Sequence, residues 1–150
     1  MDNWLSHALA EYDSTGFQDG QILTKDWLLF ALEVPSAEAQ TFIFFNKFEA
    51  FRKYLLLERK IALDNVWGHG YRIVPPNEQA GVAATTALNG IRRGLNRANV
   101  LMENTRLDQL TNEEKSRHLD TQVKLSGLKS LLNRQKKDIL AMVTPARLDK

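Results

Sequence analysis

Five cations crowd one helix-length span, Lys47, Arg52, Lys53, Arg59 and Lys60. Arg72 and the imidazole of His69 follow in the segment Val66-Trp67-Gly68-His69-Gly70-Tyr71-Arg72. Guanidinium forks and ammonium groups at this density suit phosphates and the edges of bases. Trp67 and Tyr71 flank the glycines, and aromatic faces beside cations can stack on unpaired bases. The plainer role for both rings is packing of the segment onto a neighbouring helix. A third basic group, Arg92, Arg93 and Arg97, lies further along.

The net charge of +2 conceals a split. Residues 1–40 hold one base, Lys25, against seven acids, a net −6, so the remainder carries +8. A basic surface of this kind fits an acidic partner, with DNA, duplex or single-stranded, as the foremost candidate. Solvated helix faces are the alternative reading. Other chemistry finds no footing. Cysteine is absent, which excludes disulfides and thiolate sites. His7, His69 and His118 fall in three different segments, and no pair has the i, i+4 spacing of a helical metal site. Gly68-His69-Gly70 lacks the third glycine and the following helix of a dinucleotide loop. The paired carboxylates Glu113 and Glu114 belong to a helix start rather than to acid–base catalysis. No enzyme, cofactor or metal is expected. No apolar run reaches the length of a membrane span, and the N-terminus lacks the order of a signal peptide, so a cytoplasmic protein is expected.

The elements that must position the cations follow from period and punctuation. Trp4, Leu5, Ala8, Leu9 and Tyr12 give one face of a helix from Asp2 to Asp13. Gln21-Ile22-Leu23 reads as a short strand, and Thr24 caps a second helix, Lys25 to Glu33, that buries Trp27, Leu28, Ala31 and Leu32. Pro35 breaks that helix and Ser36 caps a third, Ala37 to Lys60, long enough to suggest a break near Asn46. Its Phe42, Phe45, Phe48 and Phe51 are read as core. Ile61 to Pro76 then carries β-branched and aromatic residues around Gly68 and Gly70, which allow positive φ where the backbone reverses. A β-hairpin is predicted there.

Helix, short strand, helix, turn, helix and hairpin make the order of a winged helix-turn-helix. Val66 to Pro75 resembles the wing of OmpR/PhoB-type response-regulator effector domains, in which a similar Gly-x-Gly-Tyr follows the recognition helix. The resemblance implies DNA binding through the third helix and through His69 and Arg72 of the wing. It does not carry over the family's phosphorylation control, and the family has no counterpart of the helical tail described next.

After Pro75-Pro76 the pattern becomes heptad-like. Ala84, Leu88, Ile91, Leu95, Ala98 and Met102 form an a/d seam, with Leu88, Ile91, Leu95 and Met102 as the expected oligomerisation contacts. Thr111 to Glu114 fits a capping box before a last helix that runs to about Met142. That helix offers Leu125, Leu128, Leu132 and Ile139, with Gln135 in the seam, and Pro145 ends it. The seam finds its partner in the same chain or in another copy. The fold class expected is thus mainly α with a small β-hairpin (α+β), a winged helix-turn-helix over 1–76 followed by a helical hairpin over 77–150. The overall layout is similar to that of the single-stranded-DNA-binding transcription cofactors of N4-related phages. That resemblance implies a role in early transcription or replication, with RNA polymerase as a partner. A protein-interaction adaptor with a winged fold but no DNA binding is the reading from a different class.

Overall fold

A computed structural model of the chain describes residues 3–143. The chain is mainly helical with one small antiparallel sheet, and it divides between Gln79 and Ala80 into two compact units.

In the first unit the order is α1 (Asn3–Thr15), β1 (Ile22–Thr24), α2 (Lys25–Ala31), α3 (Phe42–Arg59), β2 (Ala62–Val66) and β3 (Gly70–Val74). The Thr24 hydroxyl accepts from the Trp27 N–H at 3.3 Å, and Asp26 sits in the first turn, so α2 begins where its cap and dipole favour it. Glu33, at φ 52°, turns left-handed after α2. A 3-10 turn at Ser36–Glu38 then separates α2 from α3. The third helix is therefore shorter than the sequence suggests. It starts at Phe42 instead of Ala37 and runs unbroken past Asn46 to a left-handed Lys60.

Two stripes run along α3. Phe44, Phe48, Phe51 and Leu55, spaced 4-3-4, are buried against Leu9 and Tyr12 of α1, Leu28 of α2, Leu32 just after it, and Ile73 of β3. Phe42 and Phe45 belong to the other stripe and are 77% and 50% exposed, which corrects their assignment to the core. The physical reason is rotation. Residues three apart advance 300°, so a run at constant spacing three slides off the buried face within two steps.

The sheet has the order β1-β3-β2, which makes β3 central. Leu23 and Asn65 flank Tyr71 in register. Between β2 and β3, the His69 N–H closes a turn on the Val66 carbonyl at 2.9 Å with Gly68 at φ 77°, the left-handed third position of a type II turn. Gly70 is constrained more tightly. It has φ 133°, and a Cβ there would lie 2.2 Å from the Leu23 carbonyl oxygen.

The second unit holds α4 (Gln79–Glu103) and α5 (Asn112–Val143). Its capping box forms as the sequence indicates: the Glu114 N–H donates to Thr111 Oγ1 at 3.3 Å and the Thr111 N–H to Glu114 Oε2 at 2.8 Å. Leu88, Asn89 and Arg92 of α4 line one hollow with Leu132 and Asn133 of α5, so the two helices lie antiparallel as neighbours. The contact face differs from the predicted seam. Leu88 is buried and Leu95 and Met102 are half-buried, but Ile91 is 52% exposed. Among the described side chains of α5 the half-buried positions are Lys115, His118, Gln122, Leu125, Lys129 and Leu132, while Leu128 and Gln135 are exposed. A 3-4 repeat is kept, but one carried by polar residues that apolar counting passes over. The Ile139 side chain and Pro145 lie outside the described residues.

Candidate nucleic-acid interface

The exposed stripe of α3 reads Phe42, Phe45, Glu49, Arg52 and Leu56, spaced 3-4-3-4, with Lys53 beside it. Its inner border meets the hairpin. Tyr71 packs on Phe48 with ring centroids 4.2 Å apart, and burial pushes its phenol pKa up while the nearby Arg52 cation pulls it down and the Glu49 carboxylate raises it. Tyr71 thus takes the packing role, which removes it as a free stacking face. Trp67 does the reverse. At the turn of the hairpin it is 91% exposed, next to an exposed His69.

The cations sort into tied and available. Lys47 Nζ donates to the carbonyls of Leu32 at 2.8 Å and Glu33 at 3.3 Å, and lies 5.4 Å from the centre of the Trp4 ring. It serves the C-terminal end of α2, where a positive charge offsets the helix dipole, and it is not part of the exposed stripe. Arg59 forms a fork with both oxygens of Asp13, linking the ends of α3 and α1. Arg72, on the sheet face away from the core, donates to Glu78 at 2.6 Å and feels Asp64 as well. Their partners respond in kind: the Arg59 hydrogen bond holds the Asp13 carboxyl below its usual range, and Arg72 does the same for Glu78. Arg59 and Arg72, like Lys47, thus each have a partner within the chain. Lys60 Nζ donates to the Leu57 carbonyl at 2.6 Å in its own helix end. Arg52, 3.5 Å from Glu49 across an exposed pair, and Lys53 remain on the surface of α3.

Charge follows the two units. The first has seven bases against eleven acids, a net −4, and the second thirteen against seven, a net +6. Arg92, Arg93 and Arg97 are exposed on α4 and make no ion pair among the described residues. Sequence reasoning thus found the cations but missed Phe42 and Phe45 as surface groups. The signal was available in the second 3-4 repeat of α3, which a search for one buried face does not seek. Among the described residues no cluster of three or more metal-ligating side chains forms, and no helix is long and apolar enough to cross a membrane. Comparison with family models, with curated proteins and with solved structures finds no match.

Proposed function

We propose that the first unit is a winged helix-turn-helix module that binds single-stranded DNA, and that the protein acts as a regulator or cofactor of transcription, where opened DNA and RNA polymerase meet. The order α1-β1-α2-α3-β2-β3, with β3 between β1 and β2, supports the winged reading. The observation that carries the choice of target is the exposure of Trp67, Phe42 and Phe45 beside only a few available cations. A duplex reader depends on phosphate contacts to fix its register. In this unit Lys47, Arg59 and Arg72 are committed elsewhere. Aromatic faces instead suit unpaired bases, which stack on them with little regard to sequence, while Arg52 and Lys53 reach phosphates. The second unit adds its own cations, Arg92, Arg93 and Arg97.

Filter binding of single-stranded and duplex DNA at two salt concentrations tests this reading. Single strands should bind more tightly, with log K falling by about 0.7 per neutralised phosphate as log salt rises. Trp67→Ala should weaken binding by about 1–3 kcal/mol, the worth of one stacked base, without loss of fold. Equal affinity for duplex, or no effect of the substitution, overturns it. The exposed Phe42, Phe45 and Leu56 also favour a second reading, a protein-interaction adaptor, which predicts no binding to either form of DNA.

A further inference from the structure

The charge of α4 is nearly all of one sign. Arg92, Arg93 and Arg97 fall within two turns, and the helix holds no carboxylate before its last residue, Glu103. Elsewhere Arg52, Arg59, Arg72 and Arg117 each have a carboxylate partner, whereas these three have none among the described residues. In the first half of α5 the carboxylates are already engaged, Glu113 by Arg117, Glu114 by the Thr111 box and Asp120 by Lys124. Arg93 and Arg97 moreover stand at i, i+4, where like charges cost helix stability. An anion bound between the two guanidinium groups relieves that repulsion.

Position on the helix says what kind of anion fits. Leu88 is buried toward α5, and Arg93 and Arg97 lie on the opposite side of α4, exposed together with Thr86 and Gly90. Arg92 stands on the flank. There it borders a small hollow with Asn89 and with Asn133 of α5, which Leu88 and Leu132 also line. One guanidinium and two carboxamides with no carboxylate among them are donors that suit phosphate oxygens, which an arginine fork takes two at a time. No aromatic side chain occurs on α4, so nothing there can stack on a base. A helix lying in a lipid surface needs bulky apolar groups along its cations. Here Thr86, Gly90 and Asn96 accompany them, and the exposed Val100 and Leu101 come only after the last arginine. We propose that the arginine side of α4 binds the phosphate backbone of nucleic acid, single-stranded and duplex alike, and supplies the larger share of the salt-dependent affinity. The net −4 of the first unit makes it a poor source of that affinity and leaves it to select unpaired bases through Trp67, Phe42 and Phe45. This division of labour rests on the single-strand reading of the first unit, whereas the α4 surface stands without it.

Filter binding of the full chain across a salt series reads the two surfaces separately. The triple variant Arg92→Gln, Arg93→Gln, Arg97→Gln should flatten the slope of log K against log salt by about 2 on single strands and about 2.7 on duplex, at about 0.7 and 0.9 per lost phosphate contact. Its far-ultraviolet helix signal should be unchanged, since glutamine and arginine are similar helix formers. Lysine at all three positions should restore the slope, because charge alone releases counterions. Arg52→Gln with Lys53→Gln should flatten it less than the triple variant does. A triple glutamine variant with the wild-type slope overturns the proposal, as does a larger flattening from the α3 pair or a wild type that binds neither form of DNA. Binding to phosphatidylserine vesicles that the triple variant loses, with its DNA slope unchanged, overturns it in favour of a membrane. The first unit fails on a different result. If Trp67→Ala leaves single strands preferred by the same margin while the triple variant flattens the slope, the α4 surface stands and the selection of unpaired bases by Trp67 does not.

Discussion

The two units solve the problem of burial in opposite ways. The first wraps three helices and a sheet around Phe48, Phe51 and Leu55, each almost wholly removed from water, although its net charge is negative. The second spends two long helices on a single buried leucine among its described residues and carries the positive charge of the chain. The contrast teaches where stability and adhesion reside. A unit with a closed apolar interior can hold exposed aromatics in fixed places. A hairpin whose inner face mixes leucines with lysine, histidine and glutamine leans more on local signals such as its capping box.

The largest expected effect tests the first half of that contrast. Phe51→Ala should cost about 3–5 kcal/mol, since it leaves a cavity where α1, α2 and α3 converge. Amide exchange should then lose protection over residues 3–79 and keep it over 80–143. Simultaneous loss in both would break the separation. The next effect is smaller and depends on pH. The carboxyl groups of Asp13 and Glu78 are depressed in the folded chain by Arg59 and Arg72. Each therefore contributes stability above its unfolded value, near 4, that is lost as pH falls through the folded one. The melting temperature of the first unit should drop below about pH 4, and Arg59→Ala should flatten that drop. An unchanged acid slope in the variant would show that the fork does not bear on stability.

The smallest effect belongs to the second unit. Thr111→Ala removes the cap of α5 and should cost about 1 kcal/mol, read as lost helix signal at the start of α5. Glu114, held below its usual range first by the Thr111 backbone N–H and second by the Thr111 side chain, should keep the larger part of that depression, since alanine retains the backbone donor. If the loss instead matched that of a core substitution, the hairpin would owe more to tertiary packing than the contrast allows.

Much of the fold is legible in the sequence. Thr24, the Gly68-Gly70 pair and the Thr111–Glu114 box each specify a local conformation that short-range chemistry enforces, and the elements begin and turn where they stand. The candidate surface is less legible. Whether Lys47 faces solvent or the end of α2 depends on Leu32, fifteen residues away, and whether Arg59 is available depends on Asp13. Residue type gives the charge, while only the tertiary arrangement decides what the charge is already holding. Phe42 and Phe45 went astray for a similar reason. Aromatics are read as interior by default, and their phase on the helix opposes that default.

The tight passage of Gly70 beside the Leu23 carbonyl has a consequence for the turn above it. Val66 and Gly70 are a paired rung, and β1 braces that rung from the other side, so only Trp67, Gly68 and His69 span the gap. The backbone beneath the Trp67 indole is thus ordered before any ligand arrives. Conformational entropy that a flexible loop would surrender on association has been given up at folding, and an indole mounted in this way can make a firm contact from a small area.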